Sequence, residues 1–263
     1  MGDRPTIYVG RPQITGVAVS RESRKRAIER IRAQERRRKR LRQILVGAGA
    51  LVVAGGIAGA IVATTGGGGA ADNPPLSTLG PLQPAPAAGA LGPEGVPVPN
   101  AAVLTGTTTA ASGQAVDGIS CSTSEQTLFH IHAHLTVFVN GTARQIPYGI
   151  GIPGAVTTAT QGGSYVGSGK CFYWLHTHAA DGIIHIESPV HRTFTLGDFF
   201  DEWGQPLGPD QVGPASGKVT AISNGKVYRG NPRDIPLTAH AQIQLEVGTP
   251  LVAPESITFP NGL

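Results

Sequence analysis

Six of the eight histidines of this 263-residue chain fall between positions 130 and 185. In an extended strand, residues two apart project from the same face, so a His-x-His spacing gathers imidazoles on one side. Imidazoles that converge suit Zn²⁺ or Cu²⁺, whereas Ca²⁺ and Mg²⁺ prefer oxygen ligands. We therefore predict a copper or zinc site, and the spacing does not choose between these metals. The predicted ligands are His130, His132, His134, His176, His178 and His185.

The later histidines lie in a hairpin pattern, in which residues 171–178 lead through the turn 179–182 into residues 183–187. A four-residue turn would set His176 opposite His185, where facing Cβ atoms are about 4.5–5.5 Å apart. Glu187 and Asp181 could orient the imidazoles or add a carboxylate ligand, and His191 is near enough in sequence to join. Two ordinary roles stay open: Asp181 begins a typical Asp-Gly turn, and Glu187 could pair with a basic residue.

The net positive charge of the chain comes from its first 43 residues. Residues 1–43 hold 14 of the 21 Lys and Arg and only 4 of the 17 Asp and Glu, a formal +10, and the remainder carries −6. The uncharged residues 44–65 are numerous enough to cross a hydrocarbon core about 30 Å thick as a helix. Basic segments next to a membrane helix tend to stay in the cytoplasm. We therefore predict a single-pass cell-membrane protein with a cytoplasmic N-terminus and an extracytoplasmic C-terminal domain. A core helix of a soluble protein is the alternative.

Partners follow from the same segments. The basic arm, residues 1–43, should lie near anionic lipid head groups. Its residues 21–43 contain no aromatic residue and no docking motif, so we predict no nucleic-acid binding. Gly55, Gly59 and Ala63 form a ridge of small residues through which two membrane helices could dimerise. The sequence names no protein partner.

The two cysteines, Cys121 and Cys171, should lie outside the cytoplasm if the membrane assignment is right. Thiols on that side tend to oxidise, so we predict a disulfide between them. Thiolate ligands of a His₂Cys copper centre are the alternative. An axial methionine is not available to such a centre, because Met1 is the only methionine.

Composition divides the remainder into a linker and a folded domain. Residues 66–118 are rich in Gly, Ala, Pro and Thr and carry only Asp72, Glu94 and Asp117 as charges, so we predict a disordered linker. Residues 119–263 are mostly strand-like, and we predict a mainly β domain, an antiparallel sandwich or small barrel with one short helix. Asn-Gly pairs at 140–141 and 224–225 predict hairpin turns. The helix should begin after Thr195 and end at Gly204.

Residues 130–141 (HIHAHLTVFVNG) and 171–200 resemble a group of membrane-anchored, extracytoplasmic bacterial and archaeal proteins with no assigned activity. The resemblance covers roughly residues 119–250 and implies a discrete domain, without a reaction or substrate. The His-x-His element is also similar to the first cupin motif, but Asp181 or Glu187 would have to replace its glutamate. The second cupin motif is absent from the sequence.

These features favour a metal-binding domain that sequesters, delivers or senses copper or zinc. One alternative is a cell-envelope interaction module whose histidines are structural. Another is a metal-dependent oxygenase or hydrolase with an open coordination position and Glu187 as general base. We favour a binding protein over an enzyme, and a Ser-His-Asp enzyme has no support because the G-x-S-x-G motif is missing.

Overall fold

The computed structural model describes residues 73–107 and 112–263 of the chain. The predicted basic arm, the predicted transmembrane helix and its Gly55/Gly59/Ala63 ridge lie outside these residues. No helix within the described residues is long and apolar enough to span a membrane.

The described part of the chain is mainly β, with a single short α-helix, as the sequence predicts. The helix, α1, is Leu196–Trp203, and 3₁₀ turns occupy Leu76–Leu79 and Pro232–Asp234. The strands are β1 (Cys121–Ser122), β2 (Phe129–Val139), β3 (Thr142–Arg144), β4 (Val156–Thr160), β5 (Gly163–Ser168), β6 (Phe172–Tyr173), β7 (Leu175–His176), β8 (Ile183–Ser188), β9 (Phe194–Thr195), β10 (Leu207–Gly208), β11 (Gln211–Val212), β12 (Ala215–Ser216), β13 (Val219–Ser223), β14 (Lys226–Tyr228), β15 (Pro236–Leu237) and β16 (Ala241–Val247).

The largest sheet has seven strands, in the order β14-β13-β16-β2-β8-β7, and β3 pairs with β2 off this path. Its neighbours are antiparallel except β2 and β16, which run parallel from the pair Ala133 and Ala241 onward. The prediction of an antiparallel domain is therefore wrong at this pair. The reason is distance along the chain: residues 140–240 separate the two strands, so no tight hairpin forces them to reverse.

Alternation along β2 gives this sheet two different faces. Ala133, Leu135 and Val137 are buried in the main hydrophobic core together with Phe199 and Trp203 of α1. Burial of each large apolar side chain stabilises the fold by about 1.5–3 kcal/mol. The residues between them, from His130 to Thr136 at every second position, lie on the opposite face. The candidate site is built on that second face.

Local signals read from the sequence are confirmed in the helix and two hairpins. Thr195 caps α1 by accepting a hydrogen bond from the Asp198 amide, the Asp198 carboxylate accepts one from the Thr195 amide, and Gly204 ends the helix with φ 71°. The turns at 140–141 and 224–225 have positive φ at both residues, which matches the right-handed strand twist, and they join β2 to β3 and β13 to β14.

The predicted disordered linker does not extend through residues 73–107, which pack on the domain. Val96 is fully buried and Leu104 nearly so, and isolated bridges join Gln83 to Val252 and Val103 to Gln145. Proline-rich chain adopts extended conformations without helix or strand periodicity, so its sequence resembles that of a free linker. We refer to residues 83–104 as the strap.

Candidate metal centre

Three strands bring the two histidine groups together on the polar face. In the antiparallel pair β2 and β8, His132 faces His185 and His130 faces Glu187. In the pair β7 and β8, His176 faces His185, which is the register that the hairpin pattern predicts. His185 is thus flanked by a histidine from each neighbouring strand, so that β8 is the centre of the cluster.

The first group of potential ligands consists of His130, His132, His185 and Glu187, whose ligand atoms all lie within 4.8 Å of one another. The Nε2 atom of His132 is 3.1 Å from Nε2 of His130 and 3.1 Å from Nδ1 of His185. Oε1 of Glu187 is 3.1 Å from Nε2 of His130. His130 is 38% exposed, and this side of the cluster is therefore open to ions in solution.

The second group consists of His176, His178, His185 and Glu187, again with ligand atoms within 4.8 Å of one another. Nδ1 of His176 donates to the carbonyl of Tyr173 at 2.8 Å, and Nδ1 of His178 donates to the carbonyl of Val166. Since a carbonyl oxygen only accepts, both protons of these neutral rings are on Nδ1. The two Nε2 lone pairs are left 3.2 Å apart.

These nitrogen separations fit a shared ion. With metal–nitrogen bonds of about 2.0–2.1 Å, neighbouring ligands are about 3.3–3.4 Å apart in a tetrahedral shell and about 2.9 Å apart at a right angle. The observed separations of 3.1 and 3.2 Å lie between these two values. The described residues thus contain a histidine and glutamate cluster that could hold a metal ion.

A carboxylate from the strap completes the surroundings of His185. Nε2 of His185 donates to Oε1 of Glu94 at 2.7 Å, and both side chains are buried. This contact holds the outer nitrogen of the ring and turns Nδ1 toward the cluster, the arrangement that orients metal-bound histidines. Glu94 is not among the predicted ligands because its segment, residues 66–118, is predicted to be a linker. The available signal was its position as one of three charges between residues 66 and 118.

Burial keeps three of the five rings in the cluster neutral. Burial lowers the pKa of His132 to about 3, with a further contribution from His185. Burial also lowers the pKa of His176 and His178, again with His185 as a contributor. Burial acts in the same direction on His185, but Glu187 and Glu94 outweigh it and raise its pKa to about 9. At neutral pH a proton on His185 therefore offsets one of the two neighbouring carboxylate charges.

His134, a predicted ligand, belongs to neither group. It faces Ile183, one step along the strand from the His132–His185 pair, and same-face neighbours on a strand are about 6.6–6.8 Å apart. Its Nε2 donates to the carbonyl of Asp181 at 2.9 Å, and burial lowers its pKa to about 4. Nε2 of His134 is thus already bonded to the Asp181 carbonyl, and the ring belongs to neither ligand group.

Asp181 and His191 also lie outside both groups. The Oδ1 atom of Asp181 accepts from the Ile183 amide at 3.1 Å, which is the turn role left open by the sequence. Burial, followed by the negative charge of Glu94, raises the pKa of Asp181 to about 7. His191 is exposed, with its ring centroid 4.7 Å from that of Phe129. Glu187, the third predicted partner, belongs to both groups.

The predicted disulfide is confirmed. Cys121 and Cys171 are bonded, with their Cα atoms 5.4 Å apart. Bonded sulfurs are not thiolates, so the alternative of a His₂Cys copper centre is wrong for this structure. The bond ties β1 to the chain that enters β6 and β7, close to His176.

A cavity of about 520 Å³ lies between the sheet and the strap, near the cluster. Its lining includes His134, Thr136, Asp181 and Arg144. The Oγ1 atom of Thr136 and the Oδ2 atom of Asp181 are buried without a hydrogen-bond partner. Buried polar atoms in this condition generally indicate a water, an ion or a ligand.

No protein-family model, curated protein or solved structure matches the chain.

Proposed function

We propose that this protein binds a divalent transition-metal ion, zinc or copper, in the histidine and glutamate cluster. The observation that carries the proposal is the pair of Nε2 atoms of His176 and His178, 3.2 Å apart, with both Nδ1 atoms bonded to carbonyls. Two facing lone pairs in a buried site repel each other, and an ion between them turns that repulsion into two bonds. Each group has three imidazoles and one carboxylate, and a set dominated by imidazoles suits zinc and copper better than calcium or magnesium.

The function built on this binding is sequestration, delivery or sensing of the metal at the cell membrane. The predicted anchor at residues 44–65 and basic arm at residues 1–43 support a location of the centre on the extracytoplasmic side. The Cys121–Cys171 disulfide agrees with that location, because disulfides persist in oxidising compartments. Pairing of two anchors through the Gly55, Gly59 and Ala63 ridge would bring two such domains together.

A metal-dependent oxygenase or hydrolase is the second candidate. The observation that favours it is the cavity of about 520 Å³, whose volume is in the range of small-molecule sites. Its unpaired Asp181 and Thr136 oxygens could accept hydrogen bonds from a substrate. Hydrolysis of p-nitrophenyl acetate by zinc-loaded but not by chelator-treated protein would support this candidate. Equal rates with and without metal would count against it.

Elemental analysis of the full-length protein tests the leading proposal. The protein is stripped with a chelator, loaded separately with Zn²⁺ and Cu²⁺, and freed of unbound ions by gel filtration. We expect bound metal in the wild type and in His191→Ala, whose ring lies outside both groups, and a clear loss in His176→Ala. Loading is repeated at decreasing concentrations of each metal, and the metal that is still bound at the lower concentration is the preferred ion. A wild type without metal would overturn the proposal and favour an envelope interaction module with structural histidines.

A further inference from the structure

The cluster contains more ligands than a single ion requires. A structural zinc site uses four ligands, and a catalytic site uses three and a water. Here five histidines and Glu187 supply ligand atoms, and they are divided into two groups of four that share His185 and Glu187. The unshared residues are His130 and His132 in one group and His176 and His178 in the other.

The division into groups argues against one crowded ion. In an octahedral shell with bonds of about 2.1 Å, the most distant ligands are about 4.2 Å apart, so six ligand atoms would form one group. The structure instead has two groups, each with its own close pair: 3.1 Å between Nε2 of His130 and His132, and 3.2 Å between Nε2 of His176 and His178. Each pair is spaced to bind an ion of its own.

Buried negative charge around the cluster points the same way. Glu187 is 4% exposed, and its Oε2 atom is buried without a hydrogen-bond partner, although Oε1 contacts His130 and His185. The Oε2 atom of Glu94 is buried and unpaired as well. Buried carboxylates are stable only when paired or coordinated to metal. Glu187 and Glu94 each have a buried oxygen without a partner, which a bound cation would stabilise.

We propose that the cluster is a dinuclear centre that holds two divalent transition-metal ions bridged by the Glu187 carboxylate. His130, His132 and His185 bind the first ion, because Nδ1 of His185 is 3.1 Å from Nε2 of His132. His176 and His178 bind the second. Glu125, with Oε1 3.5 Å from Nε2 of His178 and 41% exposed, leaves a solvent-facing side at the second ion. This inference rests on the proposed metal-binding function.

Metal stoichiometry in three forms of the full-length protein tests the inference. The wild type, the His130→Ala/His132→Ala variant and the His176→Ala/His178→Ala variant are loaded with Zn²⁺ and analysed for zinc per chain. We expect two ions in the wild type and one in each double variant, because each substitution removes one terminal pair. Circular dichroism confirms that the variants are folded.

Other zinc contents of the wild type and the double variants would contradict the dinuclear centre in different ways. One ion in the wild type would contradict the dinuclear centre and leave the proposed metal-binding function intact. No ion in the wild type would contradict both proposals. Two ions retained in either double variant would also overturn the inference, since the second ion would then lie elsewhere.

A measurement on the wild type alone avoids any effect of the substitutions on folding. Two metals in such centres are about 3.5–4 Å apart, and Cu²⁺ ions at that distance couple magnetically. We expect the paramagnetic resonance signal of the copper-loaded protein to account for much less copper than elemental analysis finds. A signal that accounts for all bound copper would contradict the dinuclear centre.

Discussion

Individual imidazoles differ in this protein because each nitrogen has its own partner. The sequence predicts that His130, His132 and His134 share one face, and all three do lie on the polar face of β2. The spacing could not predict which of them reaches the cluster, because that depends on the residue opposite each one. His132 faces His185, whereas His134 faces Ile183 and donates to the Asp181 carbonyl. The contact of Glu94 with His185 could not be predicted from the sequence, since it joins residues 91 positions apart.

A His134→Ala substitution distinguishes a structural role of His134 from a role as a metal ligand. We expect the number of bound ions to stay at the wild-type value, because His134 belongs to neither group. The free energy of unfolding should fall by about 2 kcal/mol, since the buried Asp181 carbonyl loses its donor. Elemental analysis and urea denaturation measure the two effects. Loss of an ion at unchanged stability would mean that His134 is a ligand after all.

Secondary-structure elements were predictable where local chemistry determines them. Thr195, Asp198 and Gly204 delimit α1, and the two Asn-Gly turns set their hairpins. The parallel pairing of β2 with β16 and the packing of the strap depend on contacts between distant parts of the chain, which local patterns do not encode. The strap also couples the N-terminal part of the domain to the cluster, because Glu94 contacts His185.

A Glu94→Gln substitution tests that coupling. The amide keeps the shape of the side chain but removes the charge that supports His185, and loss of such an outer partner typically weakens metal binding about 10–100-fold. We expect weaker binding in a competition titration with a chelator and an unchanged number of ions at saturation. Asp210→Asn, a charge removal at an exposed site, is the control. Equal affinity of Glu94→Gln and the wild type would exclude a role for this contact.

Helix α1 contains a buried carboxyl group, that of Glu202, with no exposed surface. Burial, followed by the charge of Asp198, raises its pKa well above the ordinary value. The folded protein therefore keeps a proton that the unfolded chain releases near pH 4.5. The contribution of protonated Glu202 to the free energy of unfolding is therefore complete below that pH. It is lost as the pH rises toward the pKa of Glu202 in the folded protein, by at most about 1.4 kcal/mol per pH unit.

A Glu202→Gln substitution should remove this pH dependence, because glutamine resembles the protonated acid and does not titrate. We expect the wild type to lose stability relative to the variant as pH rises from 5 to 8 in urea denaturation. Asp210→Asn should follow the wild type. Parallel curves for the wild type and Glu202→Gln would show that Glu202 does not carry this effect.

At the scale of the whole domain, the disulfide and a bound metal ion both affect the stability of the fold. The Cys121–Cys171 bond closes a loop of 50 residues around the strand that bears His130 and His132. An ion that binds only the folded state adds stability that grows with its free concentration. Disulfide and metal should therefore act together, the first by limiting the unfolded chain and the second by favouring the folded cluster.

A Cys121→Ser/Cys171→Ser variant measures the first contribution. Loop-closure entropy predicts a loss of about 4 kcal/mol in the free energy of unfolding. Chelator-treated protein is compared in urea denaturation, so that bound metal does not mask the loss, and Thr123→Ala serves as an exposed control in the same segment. A loss below about 1 kcal/mol would mean that the unfolded chain is already restricted by other contacts.

Anomalous X-ray diffraction from crystals of the zinc- or copper-loaded protein tests the central claim most directly. We predict an anomalous peak bonded to the Nε2 atoms of His176 and His178 at about 2.0–2.1 Å. Peaks confined to surface residues, with those two nitrogens still facing each other across a gap without metal, would contradict the account.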